Sequence, residues 1–276
     1  MDKLDVITCI SKNSADYAEL LKKTGDHFAS GNIDISYKFV ESIDSERNPK
    51  GWKKLAKVGR SPEDQNSMNH SVALNRAMDF VENKTIIIDA DIAILYPNWD
   101  EVVLKMLKFY SCWGGSYCDI VNHRYMKFPC VYFFCINPEI KKHHLDFSPL
   151  LKNDSPAKIT IQDTINEAIF KRRIGSTIKC DTGWTLPINF HNTNSSHNYM
   201  ESFSSIDQKC KLPFKNDKQK GICKTKPEHM CEWHYQGHIF ATHKQASRSH
   251  SLYGTTWGKI WLERINLYCK KFGVQF

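Results

Sequence analysis

The stretch Ile86-Ile87-Ile88-Asp89-Ala90-Asp91 decides the fold. An apolar run that stops abruptly at two acids reads as a short buried strand feeding a polar turn. In extended backbone, positions i and i+2 face the same side. Asp89 and Asp91 are therefore expected to point at one spot beyond the carboxyl end of the strand. Open α/β sheets bind their ligands at that edge. Two converging carboxylates repel unless a cation lies between them. A small set of hard oxygen ligands suits Mn²⁺ or Mg²⁺, with phosphates completing the shell. A strand that merely ends in a polar turn gives the same local pattern, so the reading depends on what surrounds it.

Upstream, residues 4–11 read as a buried strand and residues 15–28 as a helix with Ser14 as N-cap. Residues 35–40 alternate apolar and polar, as a strand does. This β-α-β opening predicts a parallel pair with helices packed on a sheet. Residues 44–60 are polar, with Pro49 and Gly51, and read as a long loop. Ser61-Pro62-Glu63-Asp64 is a helix start, and Leu74, Ala77, Met78 and Val81 then form an apolar stripe at helical spacing. Residues 84–88 form the strand that ends at Asp89.

Downstream, Asn98 is expected to cap a helix through residue 110. Residues 129–136 read as a strand, 161–173 as a helix ended by Gly175, and 177–180 as a strand. Residues 189–232 are polar and show no clear period, so they read as loop. Residues 238–242 form a short strand and 256–272 a closing amphipathic helix.

His70-Ser71-Val72-Ala73-Leu74-Asn75-Arg76, then a helix, then the strand ending in Asp89-Ala90-Asp91, resembles the GT-A glycosyltransferases. The resemblance implies a Rossmann-like, mixed but mostly parallel central sheet flanked by helices. It also implies a metal-dependent enzyme that moves a sugar from a nucleotide-diphosphate donor to a glycan or glycoprotein acceptor. Asp89 and Asp91 would hold the metal and the donor's diphosphate and ribose, with His70 and Asn75 near the nucleotide. The nucleobase would lie by Ser11, after the first strand, and Glu41, after the second.

Gln162-Asp163 resembles the Glu-Asp element of inverting members, whose Asp is the general base. Here Gln replaces the usual Glu, and the alternative role for Asp163 is a helix N-cap. Asp181 is the reserve candidate. His238-Ile239-Phe240-Ala241-Thr242-His243, followed by Arg248, resembles the C-terminal element that adds an imidazole to the metal and a basic contact to the diphosphate. His243 is the expected ligand, with His238 and His250 as rivals. Arg248 can grip phosphate through two N–H groups. Trp113-Gly114-Gly115-Ser116-Tyr117 and Trp184 are expected walls for the sugar, the glycines letting backbone come close. Core filling is the alternative for each ring.

Composition bounds the rest. The chain has 276 residues, 41% hydrophobic and 25% charged, and is expected to form a single domain over residues 1–276. Residues 1–110 would bind the nucleotide sugar. Residues 111–276 would bind the acceptor and close over the donor. No apolar stretch approaches the ~20 residues of a membrane span, and the start lacks signal-peptide features. A cytoplasmic location is expected. The ten cysteines are expected as buried free thiols. A competing reading puts zinc on Cys210, Cys223, Cys231 and His234, with His229 between.

The net charge of +8 favours anionic partners. The basic residues are scattered except over residues 209–226, which argues against a nucleic-acid stripe. Haloacid-dehalogenase phosphatases also open on Asp-x-Asp, but expect Thr or Val where Ala93 stands and place the motif on the first strand. Nucleotidyltransferases of the pyrophosphorylase type need a glycine-rich loop where Lys12-Asn13-Ser14 follows the first strand. A non-catalytic basic binding or scaffold protein on a degenerate transferase fold is the remaining alternative.

Overall fold

The computed structural model describes residues 1–42, 45, 47–59, 66–118, 127–140, 145–152, 155–226, 230–244 and 252–276. The chain opens with β1 (Lys3–Ile10), α1 (Ala15–Phe28), β2 (Asp34–Glu41), β3 (Lys53–Lys57) and α2 (Asn66–Met78). The apolar run forms β4 (Lys84–Ile88), and β5 (Ile92–Ile94) follows directly. Next come α3 (Trp99–Phe109), β6 (Cys112–Ser116) and β7 (Pro129–Ile136). Two small antiparallel pairs follow, β8 (Leu151–Lys152) with β9 (Ser155–Pro156) and β10 (Lys158–Thr160) with β11 (Thr177–Lys179), and α4 (Thr164–Phe170) lies between β10 and β11. The chain closes with α5 (Leu186–Asn192), β12 (His197–Ser204), α6 (Asp217–Thr225), β13 (Met230–Tyr235), β14 (His238–Lys244) and α7 (Thr256–Cys269).

The main sheet has ten strands in the order β3-β2-β1-β4-β7-β6-β12-β13-β14-β5. The pairings make β3, β2, β1, β4, β6, β12 and β14 run one way, against β7, β13 and β5. The sheet is thus mixed and mainly parallel, as the sequence predicts. One constraint shapes it: β4 and β5 stand fourth and tenth in that order, yet only Asp89-Ala90-Asp91 separates them. The far end must therefore bend back to meet β4.

Helix α1 covers the seam, packing on both β1 and β5. Thr24 Oγ1 accepts from the Ile94 N–H at 3.2 Å, and Trp99 Nε1 donates to the Gly25 carbonyl at 2.9 Å. Inside the bend lies an aromatic cluster. Phe133 on β7 faces Trp233 at 5.6 Å and Phe240 at 5.7 Å, and Trp113 on β6 lies 5.2 Å from Phe240. Such ring pairs each add about 1 kcal/mol beyond their area burial.

Trp113 and Tyr117 are buried at 1% and 3% exposure. They belong to this core, so the expected sugar wall at residues 113–117 is corrected. The glycines do admit a close neighbour, but it is protein. A Cβ on Gly115 would run into the Trp233 indole, whose Nε1 donates to the Ser116 carbonyl at 2.8 Å. Trp184 is half-buried against the core.

Other local expectations change too. Residues 44–60 carry β3, an edge strand parallel to β2. The helix expected over 161–173 shrinks to α4 (Thr164–Phe170), because Ile161 continues the β10–β11 pairing, its N–H donating to the Ser176 carbonyl at 2.9 Å. Residues 189–232 hold β12, α6 and the start of β13. Their polar pattern hid them because β13 buries Glu232 at 1% exposure. That carboxylate accepts from the Lys211 and Leu212 N–H groups and pairs with His234 Nε2 at 3.0 Å. Arg264 of α7 donates to the Leu212 carbonyl at 2.6 Å and closes the network. Ser14 and Asn98 precede their helices but neither side chain caps one. Ser14 Oγ turns back to Ser11 instead. The helix start at residues 61–65 lies outside the described residues.

Gly115→Ala should cost about 1–3 kcal/mol of stability through overpacking against Trp233. A fall in the denaturant midpoint with unchanged slope is the expected reading. An unshifted midpoint would contradict this packing.

Candidate metal and donor site

The turn between β4 and β5 is held at both acids. The Asp89 N–H donates to the Tyr132 carbonyl of β7 at 2.8 Å, and the Lys244 N–H donates to the Asp91 carbonyl at 3.0 Å. Ile92 is the register partner of His243. Sheet pairing therefore sets a residue from late in the chain beside the acidic turn. His243 Nε2 lies 3.3 Å from Asp91 Oδ1, and His70 Nε2 of α2 lies 3.2 Å from Asp89 Oδ1. One ligand atom each from Asp89, Asp91 and His243 fall within 4.8 Å of one another. No other group of this kind occurs among the described residues.

This donor set fits a divalent ion. Two carboxylates and an imidazole match Mn²⁺ or Mg²⁺ better than Ca²⁺, which prefers a larger all-oxygen cage. The His243 ring stacks on Trp233 (5.7 Å, 12° between planes) and sits 4.8 Å from Tyr132. Its Nδ1 is buried with no hydrogen-bond partner. A buried polar atom left unmatched costs about 1–3 kcal/mol, so the ring's position is held by packing against Trp233 and Tyr132.

The other face of Asp91 carries two groups the sequence reading did not name. Lys244 is 2% exposed, with Nζ 5.2 Å over the Tyr17 ring. Burial pulls its pKa below the usual lysine value, and the Asp91 charge opposes that fall. Burial, then Asp91, raises the Tyr17 phenol, whose hydroxyl is buried without a partner. Lys244 carried a signal: it follows His243, so on a strand it faces the opposite side. Tyr17 looks like any stripe residue of an amphipathic helix.

The remaining expected residues divide. Ser11 is buried at the end of β1, its Oγ 2.9 Å from that of Ser14. Glu41 is buried at the end of β2, where Lys54 pairs with it and the Ser45 N–H donates to it at 3.0 Å. Burial alone would raise its pKa, but those hydrogen bonds lower it below the usual carboxylate range. Asn75 faces a protein segment: its Oδ1 accepts from the Phe147 N–H at 3.0 Å and its Nδ2 donates to Ser148 Oγ at 3.3 Å.

Asp163 is exposed immediately before α4, and its carbonyl accepts from the Glu167 N–H at 3.0 Å. Asp181 is 4% exposed. Its neighbour Thr182 donates through Oγ1 to the Ser67 carbonyl at 3.2 Å, in the turn of α2 just before His70. Arg248 and His250 lie outside the described residues. His238 sits at the opposite end of β14 from His243.

The zinc alternative loses its geometry. All ten cysteines are free thiols. Cys210 Sγ donates to Glu232 at 2.6 Å. Cys231 and Glu232 are adjacent on β13 and so face opposite sides of the sheet. Cys210, Cys223, Cys231 and His234 form no metal-holding group among the described residues. His229 lies outside them.

No family model and no curated protein matches the chain. Several solved structures do. One is an active-site mutant of LgtC, at 14% identity and TM-score 0.39, covering 51% of this chain and 60% of that one. Another is the galactosyltransferase LgtC with donor and acceptor sugar analogues, at 9% identity and TM-score 0.42, covering 71% and 73%. A third is the mannosyltransferase PcManGT from Pyrobaculum calidifontis with GDP-Man and Mn²⁺, at 13% identity and TM-score 0.39, covering 56% and 48%. The chain thus spans about 60% of the length of the LgtC mutant. These likenesses are distant, and the site stands on its own residues.

Mn²⁺ alone should bind the apoprotein and raise its thermal midpoint. The gain is about 3 kcal/mol at a hundredfold excess over Kd. His243→Ala and Asp91→Asn should each weaken that binding at least tenfold by calorimetry. Unchanged affinity in both variants would remove the site.

Proposed function

We propose that the protein is a glycosyltransferase that moves a sugar from a UDP- or GDP-linked donor to a hydroxyl of a glycan or other acceptor. The observation that carries the reading is the convergence of Asp89, Asp91 and His243 at the carboxyl end of β4, with Lys244 buried behind Asp91. A divalent ion held by three protein ligands leaves coordination positions open to phosphate oxygens, and a nucleoside diphosphate would supply them.

A bound Mn²⁺ or Mg²⁺ would supply positive charge to the diphosphate as the bond to the sugar breaks. Asp89 and Asp91 hold the ion, and His243 completes the protein's share. Lys244 offsets the two carboxylates from the α1 side. Ser11 and Glu41, at the ends of β1 and β2, take the nucleoside end, beside His70. Asn75 shapes this wall by holding residues 146–148. Arg248 takes the phosphate contact that the resemblance gives it.

In an inverting transfer, a carboxylate accepts the acceptor's hydroxyl proton. The oxygen then bonds to the anomeric carbon. The carbon–oxygen bond to phosphate breaks, and its electron pair leaves with the nucleoside diphosphate. Asp163 is the base by resemblance. Asp181 is the second reading, favoured by its burial beside the helical turn that leads to His70. A scaffold role would require none of this arrangement.

Asp91→Asn should cut donor turnover by about a thousandfold while the circular dichroism spectrum stays native. A native variant with full turnover, or a parent that turns over no donor, would sink the transferase reading. Asp163→Asn and Asp181→Asn should separate the base. The true base loses about a hundredfold or more in kcat, and the other variant loses little. Equal small effects would point to a retaining transfer, which product anomers by NMR would confirm.

A further inference from the structure

The metal corner leaves one strongly charged surface unused. Residues 209–226 carry seven lysines (209, 211, 215, 218, 220, 224, 226) against the single acid Asp217, a net +6 within a chain of net +8. All seven are exposed. The segment starts where β12 ends, at the same sheet edge as Asp89 and His243. It is firmly anchored. The Lys211 and Leu212 N–H groups bond to buried Glu232, and Arg264 holds the Leu212 carbonyl. In α6, Gln219 and Cys223 face inward, while Lys220 and Lys224 stack one turn apart on the outer side.

We propose that this surface docks the protein onto an anionic lipid bilayer. Four features select that partner. The charge is spread over a helix and its flanks rather than gathered around a cavity, so it matches an extended anionic surface. Every cation is lysine, a point charge without the fork that reads fixed phosphate geometry. The segment's one aromatic, Phe214, is covered by the Arg264 guanidinium at 4.0 Å, and neighbouring Phe203 by Lys209 and His234, which leaves no stacking platform for bases. Apolar side chains also stand exposed at both flanks. Ile206 shares a cleft of about 560 Å³ with Lys209 and Asp207, and Leu267 shares a groove with Lys270 and with Lys215, which pairs with Glu263 there. Lysine clusters with apolar neighbours are what anionic membrane surfaces attract. Among the described residues no helix is long and apolar enough to cross a membrane, so this contact would be peripheral. It does not depend on sugar transfer.

The test is sedimentation of the full chain with vesicles of phosphatidylcholine alone and of an equal mixture with phosphatidylglycerol. Binding should be confined to the mixed vesicles and fade as salt shortens the screening length. Each lysine at such a surface raises partition roughly fivefold, so K218Q/K220Q/K224Q/K226Q should lose well over tenfold. That variant should keep its near-UV spectrum, its Mn²⁺ response and any donor turnover. Retained binding by the variant, equal binding to neutral vesicles, or tighter binding to a short DNA duplex would each overturn the proposal. Vesicle binding without donor turnover would leave it standing and sink the transferase reading instead.

Discussion

Everything in this molecule is organised by the shortness of one connection. Three residues join β4 to β5, and β5 belongs to the far end of the sheet. A flat sheet cannot satisfy that. The strands must bend until β14 and β5 arrive beside β4, and the inside of the bend must then be filled. Phe133, Trp113, Trp233 and Phe240 fill it, and Gly115 leaves room for the indole. The polar side of the same turn is left with two acids and, from the returning strand, an imidazole. Aromatic core and metal corner are two faces of one geometric demand.

That demand explains what could be read from the residues beforehand. The apolar run ending in Asp89 and Asp91 is local, so strand, turn and converging carboxylates were all visible. The β-α-β opening is local as well. His243 was visible because an apolar strand leads straight to it. Residues 189–232 were not, because their strands follow no simple alternation. β13 carries a glutamate inward whose partners are backbone N–H groups of a neighbouring loop, and no periodicity records such a partner. Trp113 to Tyr117 misled for a related reason. Glycines beside a tryptophan do signal close approach, but nothing local says whether ligand or protein approaches.

The site residues differ in how the fold supports them. Asp91, His243 and Lys244 are fixed by sheet hydrogen bonds and close packing. Asp89 is held by the Tyr132 carbonyl on one side and faced by His70 on the other. Asn75 is bonded to the segment at 146–148, so its contribution to a ligand is indirect. Asp163 stands in solvent ahead of a short helix, whereas Asp181 is enclosed. The buried groups gather around the acidic turn, and the exposed Asp163 lies outside that set.

The pairing of β5 with β14 also governs when the protein becomes competent. Residues 92–94 find their strand partners in residues 241–243, about half the chain away. Contacts of such separation form late, since the loop between them must be closed first. During synthesis, the acidic turn would exist long before its histidine. A partly made chain would present the two carboxylates with His70 beside Asp89 but without the His243 imidazole and its enclosing strand. Competence for the ion would thus arrive in one late step, as the last strand of the sheet docks.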